Sequence, residues 1–275
     1  MDKFEILKVA SQRLKEIDYT NIYKLITQIG LSNIIGFELP KDSYIYRIRP
    51  SEKVPFNNKS EISFNPKCNN FGRANKPNNP LFYGTIAPPK MENPVYTNTK
   101  EMLHVLANGG HQISNQPINF TIGEWKNNEK IPVIPMVFHE DFLKTNGLFR
   151  PIHDNYLKAN GQNKRNQEII KFIASEFAKP NIKTPDDYKI SAAFSEFVFK
   201  SYKDSREAII YPSVRSNGNG YNIALTPNFT NKYLNLVKVG TFSYQLKNGI
   251  GHLSFEKICN EIGEDGSFEL KDIVY

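Results

Sequence analysis

Cysteine is scarce in this sequence, and long hydrophobic runs are absent from it. Cys68 and Cys259 are the only cysteines, they lie far apart, and neither has a Cys or His neighbour at metal-ligand spacing. We therefore expect two free thiols and no metal site. No stretch of roughly 18 uninterrupted apolar residues is present, and residues 1–5 lack the basic and then apolar pattern of a secretory signal. These absences lead us to expect a cytoplasmic protein that makes no membrane contact.

Several nucleotide-binding and catalytic motifs are also missing. No Gly-x-Gly-x-x-Gly opens a helix after a strand, and there is no Walker loop, which argues against a redox Rossmann domain and a P-loop NTPase. The five histidines show neither metal-ligand spacing nor a partnered nucleophile motif. No Gly-x-Ser-x-Gly elbow surrounds Ser213, so this serine is not assigned as a nucleophile.

Positive charge is in excess but is not concentrated. The formal net charge is +7, which is compatible with a nucleic-acid or an anionic-substrate partner. The lysines, however, are scattered, with no basic run and no aromatic signature of RNA binding. Dispersed surface charge is the favoured interpretation, and a non-enzymatic basic nucleic-acid-binding protein is kept as an alternative.

Periodicity predicts a mixed α+β chain. The 275 residues, 39% hydrophobic, suit one large domain or a core domain with additions. Apolar spacing predicts helices over 4–17, before Gly30, over 165–178 and from an N-cap at Thr184. Short or alternating apolar runs predict strands over 43–49, 81–86, 120–125, 131–138, 208–214, 221–226, 234–239 and 266–275. Pro132 and Pro135 would restrict their strand to an edge or irregular position, and Trp125 is expected in the core.

The chain is organised around a polar loop that leads into an aromatic strand, residues 71–85. Its glycine, asparagines and prolines favour turns. Arg73 therefore belongs to a tight loop and not to a helix surface. The strand that follows places Tyr83 on one face, where it could meet Arg73 at the strand entrance.

A second pair of arginines lies on the strand predicted over 43–49. Arg47 and Arg49 share one strand face, because residues two apart in a strand point the same way. From the pattern alone, an edge strand with its charges in water is as good an explanation as an anion site.

Three blocks, in order along the chain, resemble the RES-domain family, which is named for an arginine, a glutamate and a serine. They are Tyr-Ile-Tyr-Arg-Ile-Arg at 44–49, Gly-Arg-Ala-Asn-Lys-Pro-Asn-Asn-Pro-Leu-Phe-Tyr-Gly at 72–84, and Ile-Ile-Tyr-Pro-Ser-Val-Arg at 209–215 with Tyr-Asn-Ile-Ala-Leu at 221–225. Members of this family are toxin-like enzymes that degrade NAD and have a fold related to ADP-ribosyltransferases.

The resemblance implies a fold and a domain plan. We expect an α+β fold with a twisted, mostly antiparallel β core like that of ADP-ribosyltransferases. Residues 1–40 would form a helical N-terminal extension. Residues 41–275 would form the RES-like catalytic domain, with a helical segment at about 140–205.

The resemblance also implies a site. Arg47, or Arg49 as a close second, would bind the NAD pyrophosphate with Arg73, since guanidinium groups form bidentate, charge-assisted bonds to such anions. Ser213 would hydrogen bond the carboxamide. Tyr83 would stack on the nicotinamide or the ribose, and Asn222 matches a polar position of the family. The catalytic carboxylate would be Glu101. Glu92 is the alternative, since it is nearer the usual spacing of the family but lies among prolines.

The activity implied is cleavage of the nicotinamide–ribose bond of NAD, with water or inorganic phosphate as the acceptor. NAD would be a substrate, and no prosthetic group is expected. ADP-ribosyl transfer to a macromolecule is the alternative from the same fold group. A cognate antitoxin with a helix-turn-helix domain is the implied protein partner, so that nucleic acid would be contacted only indirectly.

Overall fold

The computed structural model describes residues 2–32, 34–51, 55–86, 117–145, 149–161, 163–214, 220–248 and 250–273. Within these ranges, ten strands form one sheet, accompanied by eight α-helices and two 3₁₀ turns. The strands are β1 (Phe37–Leu39), β2 (Tyr44–Pro50), β3 (Phe82–Ile86), β4 (Ile118–Asn127), β5 (Ile131–Pro135), β6 (Ala208–Pro212), β7 (Tyr221–Leu225), β8 (Leu234–Lys247), β9 (Ile250–Cys259) and β10 (Lys271–Asp272). The helices are α1 (Lys3–Ala10), α2 (Tyr19–Gln28), α3 (Lys59–Ile62), α4 (Glu140–Thr145), α5 (Phe149–Asn160), α6 (Lys164–Phe177), α7 (Lys189–Ser201) and α8 (Pro227–Tyr233); the 3₁₀ turns are Leu14–Glu16 and Pro185–Tyr188.

The sheet is mostly antiparallel, which confirms the expected α+β class. Its strand order is β1-β5-β6-β7-β3-β2-β4-β8-β9-β10. All neighbouring strands run antiparallel except β5 and β6, which are parallel and pair through two residues only. The prolines of β5 therefore lie in an irregularly paired strand, but not at the sheet edge, because β1 covers it.

Strand β2 lies in the middle of the sheet, so the edge-strand interpretation of its arginines is wrong. It pairs with β4 along all seven of its residues. On its other side it pairs with β3 only through Ile45–Ile86 and Tyr46–Thr85. Beyond Tyr46, β2 and β3 diverge, and this divergence opens a gap in the sheet.

Two hydrophobic layers cover opposite faces of the sheet, as the alternation of side chains along a strand requires. Ile209 packs into the layer that contains α1, α2, α6 and α7, whereas its neighbour Ile210 packs into the layer that contains α8. Trp125 is fully buried in this second layer, as predicted. The N-terminal helices thus share one core with the helical segment and the sheet.

The first helix is shorter than its apolar spacing predicts. It is capped by the Asp2 carboxylate, which accepts from Phe4 N at 3.1 Å, and it ends at Ala10 instead of Ile17. The Ser11 hydroxyl donates to Lys8 O at 2.7 Å, a local bond that competes with helix continuation. Leu14 is nevertheless buried, because the 3₁₀ turn that follows returns it to the same core.

The segment before α7 also differs in detail from the prediction. Thr184 and Asp187 form a capping box, as the sequence suggests, but the turn they begin is 3₁₀ and α7 starts at Lys189. Lys189 Nζ donates to Leu14 O and Ile17 O, both at 2.9 Å. This buried amine fixes the N-terminal region to the start of α7.

The C-terminal strands are the least well predicted. Within the described part of the strand expected over 266–275, residues 266–273, only the two residues of β10 form a strand, and β9 was not predicted. None of the helices in the described ranges has the length and apolar composition that a membrane span needs.

Candidate functional site

A cavity of about 280 Å³ lies where β2 and β3 diverge. It brings together four of the residues expected at the site: Arg47, Arg73, Tyr83 and Asn222. These residues come from four separate elements, namely β2, the polar loop, β3 and β7. The rest of the lining consists of Tyr46, Ile48, Gly84, Thr85, Tyr188, Tyr211 and Val214.

Arg47 spans the gap between the two diverging strands. Its Nη1 donates to the backbone carbonyl of Tyr83 at 2.6 Å, and its guanidinium carbon lies 5.3 Å from the Phe82 ring centroid. The residue is half-buried, but its Nε is shielded from solvent and has no hydrogen-bond partner. Burial, and next the charge of Arg49, lower the pKa of Arg47 to about 9.

Arg73 is held by the helical segment. Its Nη1 donates to Phe177 O and its Nη2 to Lys179 O, the latter at 3.2 Å. These carbonyls lie at the C-terminal end of α6, where unsatisfied oxygens and the helix dipole both favour a cation. The guanidinium also lies 5.1 Å from the Tyr188 ring centroid. These contacts fix the orientation of the Arg73 guanidinium, and the residue also lines the cavity.

The Tyr83 hydroxyl organises the polar loop. It donates to Asn75 Oδ1 at 2.7 Å and accepts from Ala74 N at 2.9 Å. Gly72 packs against this pair, since a Cβ there would lie 2.3 Å from Asn75 Oδ1. The hydroxyl is therefore occupied within the protein, which leaves the ring of Tyr83 for contact with a ligand.

Asn222 lies next to Thr85 across β7 and β3. The Thr85 hydroxyl donates to Asn222 Oδ1 at 3.1 Å, so Asn222 Nδ2 remains a donor that a ligand can use. This cross-strand pair forms part of the cavity floor beside Tyr211, which is the register partner of Asn222 on β6.

Sequence reasoning missed three tyrosines of this cavity. Tyr46 comes from β2, Tyr188 from the 3₁₀ turn before α7, and Tyr211 from β6. Tyr211 lies two residues before the expected Ser213, so proximity to the third block was a usable signal. Tyr188 lies outside all three blocks, and nothing in the local sequence marks it.

Arg49 and Ser213 are not among the lining residues of this cavity. Arg49 points to the α3 side, where its Nη1 donates to Glu61 O at 2.6 Å and its guanidinium carbon lies 5.6 Å from the Phe56 ring centroid. Ser213 is buried, and its backbone N donates to Gly220 O at 2.8 Å. Its neighbour Val214 reaches the cavity instead.

Both candidate carboxylates, Glu92 and Glu101, lie outside the described residues. No Asp or Glu is among the described residues that line the cavity. Likewise, the described ranges contain no group of three or more His, Cys, Asp or Glu side chains that could hold a metal ion. The described lining is therefore cationic and rich in hydroxyl and amide groups.

Such a lining suits an anion attached to a flat ring or a sugar. A half-buried guanidinium without a carboxylate partner is costly unless an anion compensates it, and Arg47 has no such partner in the described part of the chain. A volume of about 280 Å³ is near the lower end of ligand pockets, about 300–1,000 Å³. The described cavity therefore has room for a small ligand or for one part of a larger ligand.

Comparisons with known proteins add no assignment to this geometry. No protein-family model matches the chain, and no curated protein matches it.

Proposed function

We propose that this protein degrades NAD by cleaving the bond between nicotinamide and ribose, with the substrate bound in the cavity between β2 and β3. One observation carries the proposal: Arg47 and Arg73, from two distant segments that both resemble the RES-domain family, line a single cavity together with Tyr83 and Asn222. The two guanidinium groups would bind the pyrophosphate. Tyr83 and Asn222 would contact the nicotinamide riboside half.

The reaction needs little from the protein beyond positioning and charge. As the C–N bond breaks, the nicotinamide nitrogen takes the electron pair and leaves as neutral nicotinamide, while positive charge develops on the ribose. A nearby ionised carboxylate lowers this barrier, as in glycoside cleavage. Water, or inorganic phosphate, then bonds to the ribose carbon and water loses its proton to solvent.

We assign the carboxylate role to Glu101, with Glu92 as the competing candidate. Each would act by stabilising the sugar cation, either directly or through a ribose hydroxyl. Glu101→Gln and Glu92→Gln keep the size of the side chain and remove its charge, so the pair forms a matched comparison. Only the variant of the acting carboxylate should lose turnover.

The test is NAD loss on incubation with purified protein, followed by chromatography. Wild type should release nicotinamide, and Glu101→Gln should be slower by about a hundredfold or more, the usual cost of removing an electrostatic stabiliser. Free ADP-ribose as product would indicate hydrolysis, whereas its phosphorylated form would indicate phosphorolysis. No NAD loss by folded wild type, with or without phosphate, would refute the proposal.

The same experiment separates the competing activities. With NAD labelled in its ADP-ribose half, label on protein or nucleic acid would instead show an ADP-ribosyltransferase. Salt-dependent nucleic-acid binding without NAD loss, unchanged in Glu101→Gln, would favour a basic binding module.

An NAD-degrading toxin would need an inhibitor in the cell that makes it. We therefore propose a cognate antitoxin with a helix-turn-helix domain as partner. Co-expression with the neighbouring reading frame should yield a complex that lacks NAD-degrading activity. Recovery of two separate proteins, with activity intact, would contradict this part of the proposal.

A further inference from the structure

The cavity contains a largely buried tyrosine, Tyr211, that has no role in the proposed reaction. Tyr211 is 5% exposed and lines the cavity. Its hydroxyl makes no hydrogen bond to any residue of the described ranges. The oxygen is not among the unpaired side-chain atoms that are shielded from solvent, so it is accessible from the cavity and free to donate a hydrogen bond to a ligand there.

The surroundings of Tyr211 indicate what kind of ligand group it would meet. Tyr211 interacts electrostatically with both Arg73 and Arg47, and burial raises its pKa above the ordinary value. The hydroxyl therefore keeps its proton and acts as a hydrogen-bond donor beside two guanidinium groups. Three donors and no described carboxylate around one small cavity suit a phosphate-type anion, whose oxygens are acceptors.

Two other phenols of the cavity, those of Tyr83 and Tyr188, do not offer the same group. The Tyr83 hydroxyl is already used by Ala74 and Asn75. The Tyr188 ring lies against the Arg73 guanidinium and so helps to fix that donor. Tyr211 itself is held by its ring, whose centroid lies 5.7 Å from that of Phe177, so its position does not depend on its hydroxyl.

We propose that the Tyr211 hydroxyl is the third donor of an anion site whose other two donors are Arg47 and Arg73, and that this site takes the pyrophosphate of the dinucleotide. The inference rests on the proposed function for the identity of the ligand. It adds a substrate-binding residue that lies outside the arginine, glutamate and serine pattern.

The experiment measures the affinity of ADP-ribose, which carries the pyrophosphate of NAD but has no nicotinamide to lose. Calorimetric titration compares wild type, Tyr211→Phe and, as a matched control, Tyr233→Phe, since Tyr233 is buried outside the cavity. We expect Tyr211→Phe to bind ADP-ribose about tenfold to a hundredfold more weakly, as for the loss of one hydrogen bond to a charged group. Tyr233→Phe should bind like wild type.

A second probe locates the contact on the ligand. Nicotinamide riboside has no phosphate, so its affinity should be the same in wild type and Tyr211→Phe. An equal loss for nicotinamide riboside and ADP-ribose would overturn the inference, because the hydroxyl would then contact the nucleoside. Unchanged ADP-ribose affinity in Tyr211→Phe, while wild type still degrades NAD, would overturn the inference and leave the proposed function standing.

The remaining outcomes are also decisive. If wild type neither binds ADP-ribose nor degrades NAD, both proposals fail together. A crystal structure of wild type with ADP-ribose answers the question without any variant. A phosphate oxygen within about 3 Å of Tyr211 Oη would support the inference, and a pyrophosphate bound away from Tyr211 would refute it.

Discussion

The Arg47 guanidinium donates to the Tyr83 carbonyl across the gap that opens when β2 leaves β3. A side chain thus supplies a donor to a carbonyl at the point where the ladder between the two strands has ended. This bond joins the first arginine-bearing block to the strand of the central block. It also holds Arg47 at the cavity wall, with its Nε shielded and unpaired.

Replacing Arg47 should weaken ligand binding much more than it changes the stability of the fold. Arg47→Met removes a poorly solvated cation, which favours folding, but also removes the donor to Tyr83 O, which opposes it. We expect the free energy of unfolding to change by no more than about 1–2 kcal/mol, while ADP-ribose affinity falls at least tenfold. Denaturant unfolding and calorimetry measure the two effects.

Arg150→Met is the control for this prediction, because Arg150 is an exposed arginine outside the cavity. It removes the same charge and should leave affinity unchanged. Equal loss of affinity in both variants would mean that ADP-ribose affinity depends on the net charge of the protein and not on the cavity residues.

Tyr83→Phe should loosen the polar loop. Without the hydroxyl, the buried Ala74 N–H and Asn75 Oδ1 lose their partner, at a cost of about 1–3 kcal/mol. Activity should fall because Arg73 is carried by the same loop. Thermal unfolding and NAD turnover are the measurements, with Tyr244→Phe, a buried tyrosine elsewhere, as control. Full stability with reduced turnover would instead place the hydroxyl in the reaction.

Gly72→Ala tests the same loop by adding a methyl group next to the hydrogen-bonded pair of Tyr83 and Asn75. The new Cβ would lie 2.3 Å from Asn75 Oδ1 and 3.1 Å from the Tyr83 hydroxyl, so the hydrogen-bonded pair must move. Overpacking of this kind costs about 1–3 kcal/mol, and kcat/KM for NAD should fall with it. At Gly240 a Cβ would meet nothing closer than 3.5 Å, so Gly240→Ala is the matched control. Equal losses of stability and of kcat/KM in Gly72→Ala and Gly240→Ala would contradict the role of the polar loop in forming the site.

Local patterns predicted most of the elements that carry the cavity. The strands bearing Arg47 and Tyr83 were predicted because apolar residues alternate there, and the β6–β7 hairpin because two apolar runs flank a turn-rich stretch. The fold class followed from these elements. The order of the ten strands did not, because pairing of distant strands leaves no periodic signal in one sequence.

The errors have physical causes as well. The helix expected over 4–17 stops early because the Ser11 hydroxyl competes for the Lys8 carbonyl. Strand β9 was missed although Asn248-Gly249, a common hairpin dipeptide, directly precedes it, and Asn248 has the positive φ, 52°, of such a turn. Tyr188 was missed because its place in the cavity comes from the packing of the 3₁₀ turn against the polar loop.

The pH dependence of NAD binding follows from the lowered pKa of Arg47, about 9. Anion binding needs the cationic guanidinium, so kcat/KM, which reports the free enzyme, should be level near neutral pH and fall as pH rises through about 9. In kcat the same fall should occur at a higher pH, because the bound pyrophosphate stabilises the charged form of Arg47. The unfolding free energy should show the opposite trend, because between about 9 and the ordinary value of 12.5 the unfolded chain binds more protons at this residue, and stability from this source rises with pH. Initial rates corrected for the alkaline decay of NAD, together with unfolding curves at each pH, measure all three. A kcat/KM profile that stays level beyond pH 10 would contradict the lowered pKa of Arg47.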